Sequence, residues 1–359
     1  VKISKPQLAA AEDALARILR MTQPADAVLS SYFRAHPQLG QHDRAFIAET
    51  VFGVLRRRYG LEYHTGADTP RRLLLAYLNR VQGMSLRQLE PLIGRDDAHW
   101  VAELNAGRDQ TTPIPIAAEL PQWLIAMLAT DTPEDEILAL GRALAQAAPL
   151  DLRVNPLLAG RDEVIAQLAA DGMAAHHMPY SPLGIRLEAK PALNRHALFT
   201  GGKIEVQDEG SQLVCCLLAP KRREMVVDFC AGAGGKTLML GALMQSQGRL
   251  YAFDVSESRL NKFKPRLRRA GLSNVHPQLL SNENDIRVKR LAGKIDRVLV
   301  DAPCSGFGTL RRNPDLKWRQ NETGVAEMAA RQRAILTAAA ALLKPGGRLV
   351  YATCSFLRA

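Results

Sequence analysis

The sequence predicts an α/β protein: a doubly wound, mostly parallel sheet at its C-terminal end, preceded by an all-helical region and a small α+β piece. Three observations carry this prediction. From about residue 205, short apolar runs rich in Val, Ile and Leu alternate with amphipathic stretches, the pattern of parallel strands joined by crossover helices. Residues 1–145 instead repeat apolar side chains at helical spacing and are broken by Gly83, Pro91, Pro113, Pro115 and Pro121. Between them, strand-like runs flank a helix-like stretch closed by Asp171-Gly172. The expected domains are therefore 1–147 (helical), 148–204 (α+β) and 205–359 (parallel sheet).

In the helical region, Leu8, Ala11, Leu15, Ile18 and Leu19 stripe a first helix. Phe46, Ile47, Val51, Val54 and Leu55 stripe another over 43–58, which ends in three arginines. Further helices are predicted over 71–81, 86–92, 122–129 and 133–147. Strands at 150–154 and 184–188 enclose a helix at 161–170. The last region reads as strands at 225–228, 250–254, 275–279, 295–301 and 348–353, with helices at 236–247, 257–270 and 325–343. Ligands of such sheets sit at the carboxyl ends of the strands, beside the point where strand order reverses.

Apolar residues make up 47% of the 359 and charged residues 23%, which excludes disordered and collagen-like chains. No apolar run approaches the ~18–20 residues of a membrane span, and Val1 opens no signal-like segment. Five cysteines, with Cys215 and Cys216 adjacent and no CxxC, form neither a disulfide framework nor a zinc set. A cytoplasmic protein without a metal is expected. Residues 201–359 hold 26 basic and 14 acidic residues, whereas 1–200 hold 21 and 22. All the excess positive charge thus lies in the C-terminal part, which suits a polyanion such as nucleic acid, or a basic surface kept for solubility.

After the first strand of the last region runs Asp228-Phe229-Cys230-Ala231-Gly232-Ala233-Gly234-Gly235-Lys236-Thr237. Its glycines allow a tight turn and close approach of a ligand to the backbone at a helix N-terminus. Asp254, 22 residues beyond Gly232, stands where an acid would hold a ribose. A phosphate-binding P-loop would need glycine where Cys230 stands, and a nicotinamide site would need G-x-G-x-x-G. S-adenosylmethionine, with a ribose and no pyrophosphate, fits better.

Asp301-Ala302-Pro303-Cys304-Ser305-Gly306 ends the fourth strand and Thr353-Cys354-Ser355 the fifth. Either cysteine alone reads as an inert buried thiol. Two at neighbouring strand ends beside a cofactor pocket point to covalent catalysis. A thiolate adding to carbon 6 of a pyrimidine makes carbon 5 nucleophilic, and a carboxyl group such as that of Asp301 would support the ring nitrogen. A cation must favour the thiolate, and Lys236 is the candidate.

On these motifs the chain resembles the RsmB/Nop2/Sun family of RNA cytosine-5 methyltransferases, in particular its bacterial RsmB (Sun, Fmu) type. The resemblance extends to Gln207-Asp208-Glu209-Gly210-Ser211 ahead of the fold and to the basic segment Arg311-Arg312-Asn313-Pro314-Asp315-Leu316-Lys317-Trp318. It implies a Rossmann-like methyltransferase core, a NusB-like RNA-binding domain formed by the N-terminal helices, and the cofactor S-adenosylmethionine. It makes Cys354 the nucleophile and Cys304 the cysteine that assists product release, with Asp301 on the base. Cys230, Ala231, Gly232, Ala233, Gly234, Gly235 and Lys236 would line the cofactor with Asp301, Asp254 would hold the ribose, and Asp285 would lie near the adenine. Ala233 departs from the family's usual proline. Relatives continue past the position of Ala359, so the strands completing the sheet are expected beyond it, and Cys354 on an edge strand.

The implied substrate is a cytosine in a single-stranded or looped part of ribosomal RNA, 16S RNA first, with transfer RNA as the alternative. Arg311, Arg312, Lys317 and Trp318 are expected to contact RNA, because an indole among cations suits stacking on an unpaired base. The basic run of Arg259, Lys262, Lys264, Arg266, Arg268 and Arg269 reads as a solvated helix face. Nothing suggests a coiled coil, and a monomer is expected. A non-catalytic RNA-binding or ribosome-assembly protein is the competing class.

Overall fold

The computed structural model describes residues 3–105 and 112–357; the terminal residues Val1 and Ala359 lie outside them. Two compact units emerge, and they do not follow the expected boundaries. One comprises Val1–Ala148, Ser305–Ala326 and Cys354–Ala359, the other Pro149–Cys304 and Glu327–Thr353. The α+β piece thus belongs with the parallel sheet, while two excursions from the sheet belong with the helices.

In the helical unit, Ser4 starts the helix Lys5–Ile18 with a capping box, its N–H donating to Gln7 Oε1 at 2.8 Å. Leu8, Leu15 and Ile18 on that helix are buried with Ile47, Val51 and Leu55 of Gln41–Thr65 and Leu73, Leu74 and Leu75 of Pro70–Ala76. The predicted helix at 71–81 changes pitch: Pro70–Ala76 is α-helical and Tyr77–Val81 is one π-helical turn. Helices Ala25–Ala35 and Arg95–Asn105, absent from the prediction, are also present. A second core joins Leu124 and Ile137 of the helices Gln122–Leu128 and Glu134–Leu144 to Phe307 and Leu310 from the first excursion.

The second unit holds two sheets. The first is antiparallel and contains β1 (Leu150–Val154), β2 (Ala175–His177), β3 (Gly184–Leu187) and β4 (Ile204–Val206) in the order β2-β3-β1-β4. The second is parallel and contains β5 (Met225–Asp228), β6 (Arg249–Asp254), β7 (Val275–Leu279), β8 (Ile295–Asp301) and β9 (Leu343–Ala352) in the order β7-β6-β5-β8-β9. Successive strand residues point to opposite faces, and both faces are covered. Val226, Leu250 and Leu299 pack on one side with Leu238 and Phe263, while Val227, Phe253 and Val298 pack on the other with Ile335 and Ala339. Strand order reverses at β5, so a crevice is expected at the carboxyl ends of β5 and β8. Among the described residues β9 lies at one edge of this sheet and begins five residues earlier than expected; it ends at Ala352, so Cys354 follows the strand and does not lie on it.

Candidate functional site

The parallel strands deliver one acid each to the reversal point: Asp228 ends β5, Asp254 ends β6 and Asp301 ends β8. From Asp228 the chain turns through the glycine loop into the helix Gly235–Leu243. The Gly232 N–H donates to Asp254 Oδ2 at 2.8 Å, and the Ala231 N–H to the Phe253 carbonyl at 2.8 Å. Loop and second strand are thereby joined. Gly234 is obligatory: its φ is +83°, and a Cβ there would lie 1.9 Å from the Phe263 ring. The Gly232 position faces open space.

Burial governs the acids. Asp228 is almost wholly buried, with Oδ2 accepting from the Thr237 hydroxyl at 2.6 Å and Oδ1 lacking a partner. Desolvation raises its pKa to about 7, against the opposing effect of the Thr237 bond. The same burial, with Asp228, Asp254 and Asp301 nearby, pushes the Cys230 thiol up to about 12, so Cys230 is an uncharged wall rather than a nucleophile. Lys236 donates to Asp301 Oδ2 at 2.6 Å. Burial opposes its charge, but attraction to Asp301 prevails and its pKa is raised. The lysine expected to favour a thiolate is therefore committed to Asp301. Asp254 also accepts from the Ser256 N–H at 2.7 Å. Asp285 caps the short helix Ile286–Lys289, accepting from the Arg287 and Ser281 N–H groups, which lower its pKa.

The two cysteine motifs continue adjacent strands. In the β8–β9 register Asp301 lies opposite Ala352, and the Ala302 N–H donates to the Ala352 carbonyl at 3.0 Å. Cys304 follows Asp301 by three residues, and Cys354 follows Ala352 by two. Gln332, from the helix Glu322–Ala340, donates to the Pro303 carbonyl at 2.7 Å and so fixes the turn before Cys304. In the helical unit, the Gly308 N–H donates to the Cys354 carbonyl at 2.9 Å, and Ser305 bonds Ser355. Cys354 is exposed and Cys304 half-buried.

The expectation for Lys317 is corrected. It is buried, and its Nζ donates to the Arg56 carbonyl at 3.0 Å, which leaves no face for RNA. Trp318 stacks obliquely on Tyr59, ring centroids 5.3 Å apart, beneath the Arg58 guanidinium. The indole is half-buried and packs against the core of the helical unit. Arg311 is half-buried and donates to the exposed Ala147 carbonyl at 2.7 Å, and Arg312 is half-buried. The solvated-face reading of the basic helix Glu257–Arg269 holds for Arg259, Lys262, Lys264 and Arg268 only, since Arg266 and Arg269 both pair with Glu205. Sequence reasoning passed over Gln332, Glu205 and Arg153. A lone arginine in the apolar run of β1 was the available signal for the last of these.

No helix among the described residues is long and apolar enough to cross a membrane. No cluster of three His, Cys, Asp or Glu among them could hold a metal ion.

Residues 215–359 match the model of the 16S rRNA methyltransferase RsmB/F family, and residues 120–194 match the model of the RsmF/B-like ferredoxin-like domain. A probable ribosomal RNA small subunit methyltransferase B from Synechocystis sp. is 33% identical over 370 residues, spanning 92% of this chain and 81% of the relative. The ribosomal RNA small subunit methyltransferase B of Sodalis glossinidius is 32% identical, with 96% and 84% covered. Among solved structures, that of PH0851 superposes with a TM-score of 0.80 at 25% identity, covering 99% of this chain and 87% of the other. A methyltransferase homolog from Pyrococcus horikoshii gives 0.56 at 28% identity, with 66% and 78% covered.

The cofactor is S-adenosylmethionine, and the residues fit it. The Asp254 and Asp301 carboxylates at two strand ends suit a cationic sulfonium and a ribose diol, and the open face at Gly232 admits a ligand against the backbone. Sequence identity over most of both chains and this fold together place the chain in the RsmB/F family of small-subunit ribosomal RNA methyltransferases.

Proposed function

We propose that this protein methylates carbon 5 of a cytosine in 16S ribosomal RNA through a transient bond between Cys354 and carbon 6 of the base. The single observation that carries the reading is the parallel pairing of β8 and β9, adjacent strands whose carboxyl ends each run on into a cysteine motif. Its support from relatives is their common designation as ribosomal RNA small subunit methyltransferase B. The basic excess of residues 201–359 suits a polyanionic substrate.

Cys230 through Lys236, with Asp254, Asp285 and Asp301, would hold S-adenosylmethionine, which supplies an electrophilic methyl group. The thiolate of Cys354 adds to carbon 6, and the displaced electron pair moves toward ring nitrogen 3. There the Asp301–Lys236 pair, 2.6 Å between heteroatoms, can hold or share a proton. Carbon 5 becomes nucleophilic and would accept the methyl group as the methyl–sulfur bond of the donor breaks, leaving S-adenosylhomocysteine. Loss of its proton restores the ring double bond and expels the Cys354 sulfur, the step that Cys304 assists. A base must leave its stack to reach these groups, so a looped or unpaired cytosine is the substrate.

The test is covalent trapping on a 16S RNA fragment. Cys354→Ala abolishes methyl transfer, and Cys304→Ala accumulates a protein–RNA adduct that survives a denaturing gel. Turnover by Cys354→Ala, or no retarded band with Cys304→Ala, refutes the assigned roles.

A further inference from the structure

A glycine turn that lays its backbone against a ligand must find donors inside the protein for the carbonyls it turns away from that ligand. Two carbonyls of this loop end on guanidinium groups. Arg266 of the helix Glu257–Arg269 donates through Nη1 to the Ala233 carbonyl at 2.7 Å and through Nη2 to Glu205 Oε2 at 3.0 Å. Arg153 of β1 donates through Nη1 to the Gly235 carbonyl at 2.7 Å and also to Gln207 Oε1. Arg153 and Glu205 are register partners on neighbouring strands of the antiparallel sheet, and both are buried. Arg269 closes the cluster on the other oxygen of Glu205.

Filling this space would not need charge; apolar side chains would do so without the desolvation cost of a buried guanidinium. Burial lowers the pKa of Arg153 to about 10, which still leaves it cationic at neutral pH. What charge adds is a strong, directional donor for a backbone carbonyl.

We propose that Arg153 and Arg266 are positioning residues for the cofactor: they hold the Ala233 and Gly235 carbonyls turned out of the loop, so that the antiparallel sheet sets the loop's geometry toward S-adenosylmethionine. The inference rests on the reading of the glycine loop as the cofactor site. It makes the antiparallel sheet part of the cofactor's support, and a disturbance of β1 or β4 is transmitted to the loop.

Calorimetric titration of the full chain with S-adenosylhomocysteine tests this, paired with hydrogen exchange of a peptide covering residues 230–238. Arg266→Met is expected to weaken binding by about tenfold, equivalent to about 1.4 kcal/mol. Its loop amides should exchange faster while β5, β6 and β8 keep their protection. Arg266→Lys, retaining one donor, should recover part of the affinity, a rescue that mere space-filling does not require. Arg153→Met should behave like Arg266→Met; if it fails to fold, Glu205→Gln replaces it and should weaken binding by about threefold, since it loosens Arg266 without removing a loop donor. Affinity within about twofold of wild type together with unchanged loop exchange overturns the proposal, whatever happens to the melting temperature. Failure of the wild type itself to bind S-adenosylhomocysteine overturns the cofactor assignment, and the proposal with it.

Discussion

The Ser305 hydroxyl donates to the Ser355 hydroxyl at 2.9 Å, joining the residues that directly follow the two motif cysteines. Each serine also steadies its own turn, Ser305 accepting from the Phe307 N–H at 3.4 Å and Ser355 from the Leu357 N–H at 3.1 Å. Ser355→Ala removes both roles of one partner and leaves the nearly buried Ser305 hydroxyl without its acceptor. The expected loss of stability is about 1 kcal/mol. Single-turnover methyl transfer should fall by more than that loss explains, about tenfold, because the turn carrying Cys354 then keeps only the Gly308 bond. Comparison of denaturant midpoints with single-turnover rates checks this.

Gly234→Ala meets two penalties, a φ of +83° and the Phe263 ring. A left-handed backbone costs about 1–2 kcal/mol, and an overpacked contact about 1–3 kcal/mol more. Phe263→Leu in the same chain should relieve the second penalty only, so the double variant should be less unstable than additivity of the singles predicts. Urea unfolding of the three variants measures it.

Asp228 gives the protein a pH signature. Its native pKa of about 7 lies above the 3.8 of an unfolded aspartate, so between these values the native state binds more protons than the unfolded state. Stability then falls as pH rises from about 4 to about 7 and levels off above. Glu119, also raised by burial, contributes with the same sign, so the useful quantity is the difference between wild type and Asp228→Asn. That difference should slope across this window and be flat beyond it in urea titrations at stepped pH.

Lys317 and Glu119 are both buried in the helical unit, and each favours the charged form of the other. Glu119 accepts from the Tyr59 and Gly60 N–H groups at 3.1 and 2.9 Å, and Lys317 donates to the Arg56 carbonyl. Arg56 C=O and Gly60 N–H are the two ends of one helical i, i+4 hydrogen bond, and each takes an outside partner. Burial pushes both side chains toward their neutral forms. Lys317→Met removes the buried donor of the Arg56 carbonyl and the cation that favours the Glu119 carboxylate, and should cost about 1–3 kcal/mol. Glu119→Gln in the same chain should recover the part of that loss that comes from the acid. RNA affinity, read by filter binding on the folded double variant, should stay within a few fold of wild type.

Several features are local and could be read without coordinates. The strand boundaries 225–228 and 295–301 follow from apolar runs, because a strand buried on both faces leaves few positions for charge. Gly234 and Asp254 were marked by a turn that only glycine tolerates and an acid at fixed distance. The fate of Lys317 and Trp318 was different. Their composition matches an RNA-stacking segment, yet their partners, Arg56, Tyr59 and Glu119, lie some 200 residues or more earlier in the chain. A charged side chain looks the same in sequence whether water or a buried carbonyl satisfies it.

The sequence by itself determined the doubly wound sheet, the glycine loop, the acids at strand ends and the two cysteine motifs, since periodicity, turn chemistry and spacing are properties of short segments. Tertiary structure alone decided that Ser305–Ala326 packs with the helices, that Lys236 is held by Asp301, and that Arg153 and Arg266 brace the loop from the antiparallel sheet. Those outcomes depend on which distant groups share a desolvated space. There, burial makes each polar atom take whatever partner the fold supplies.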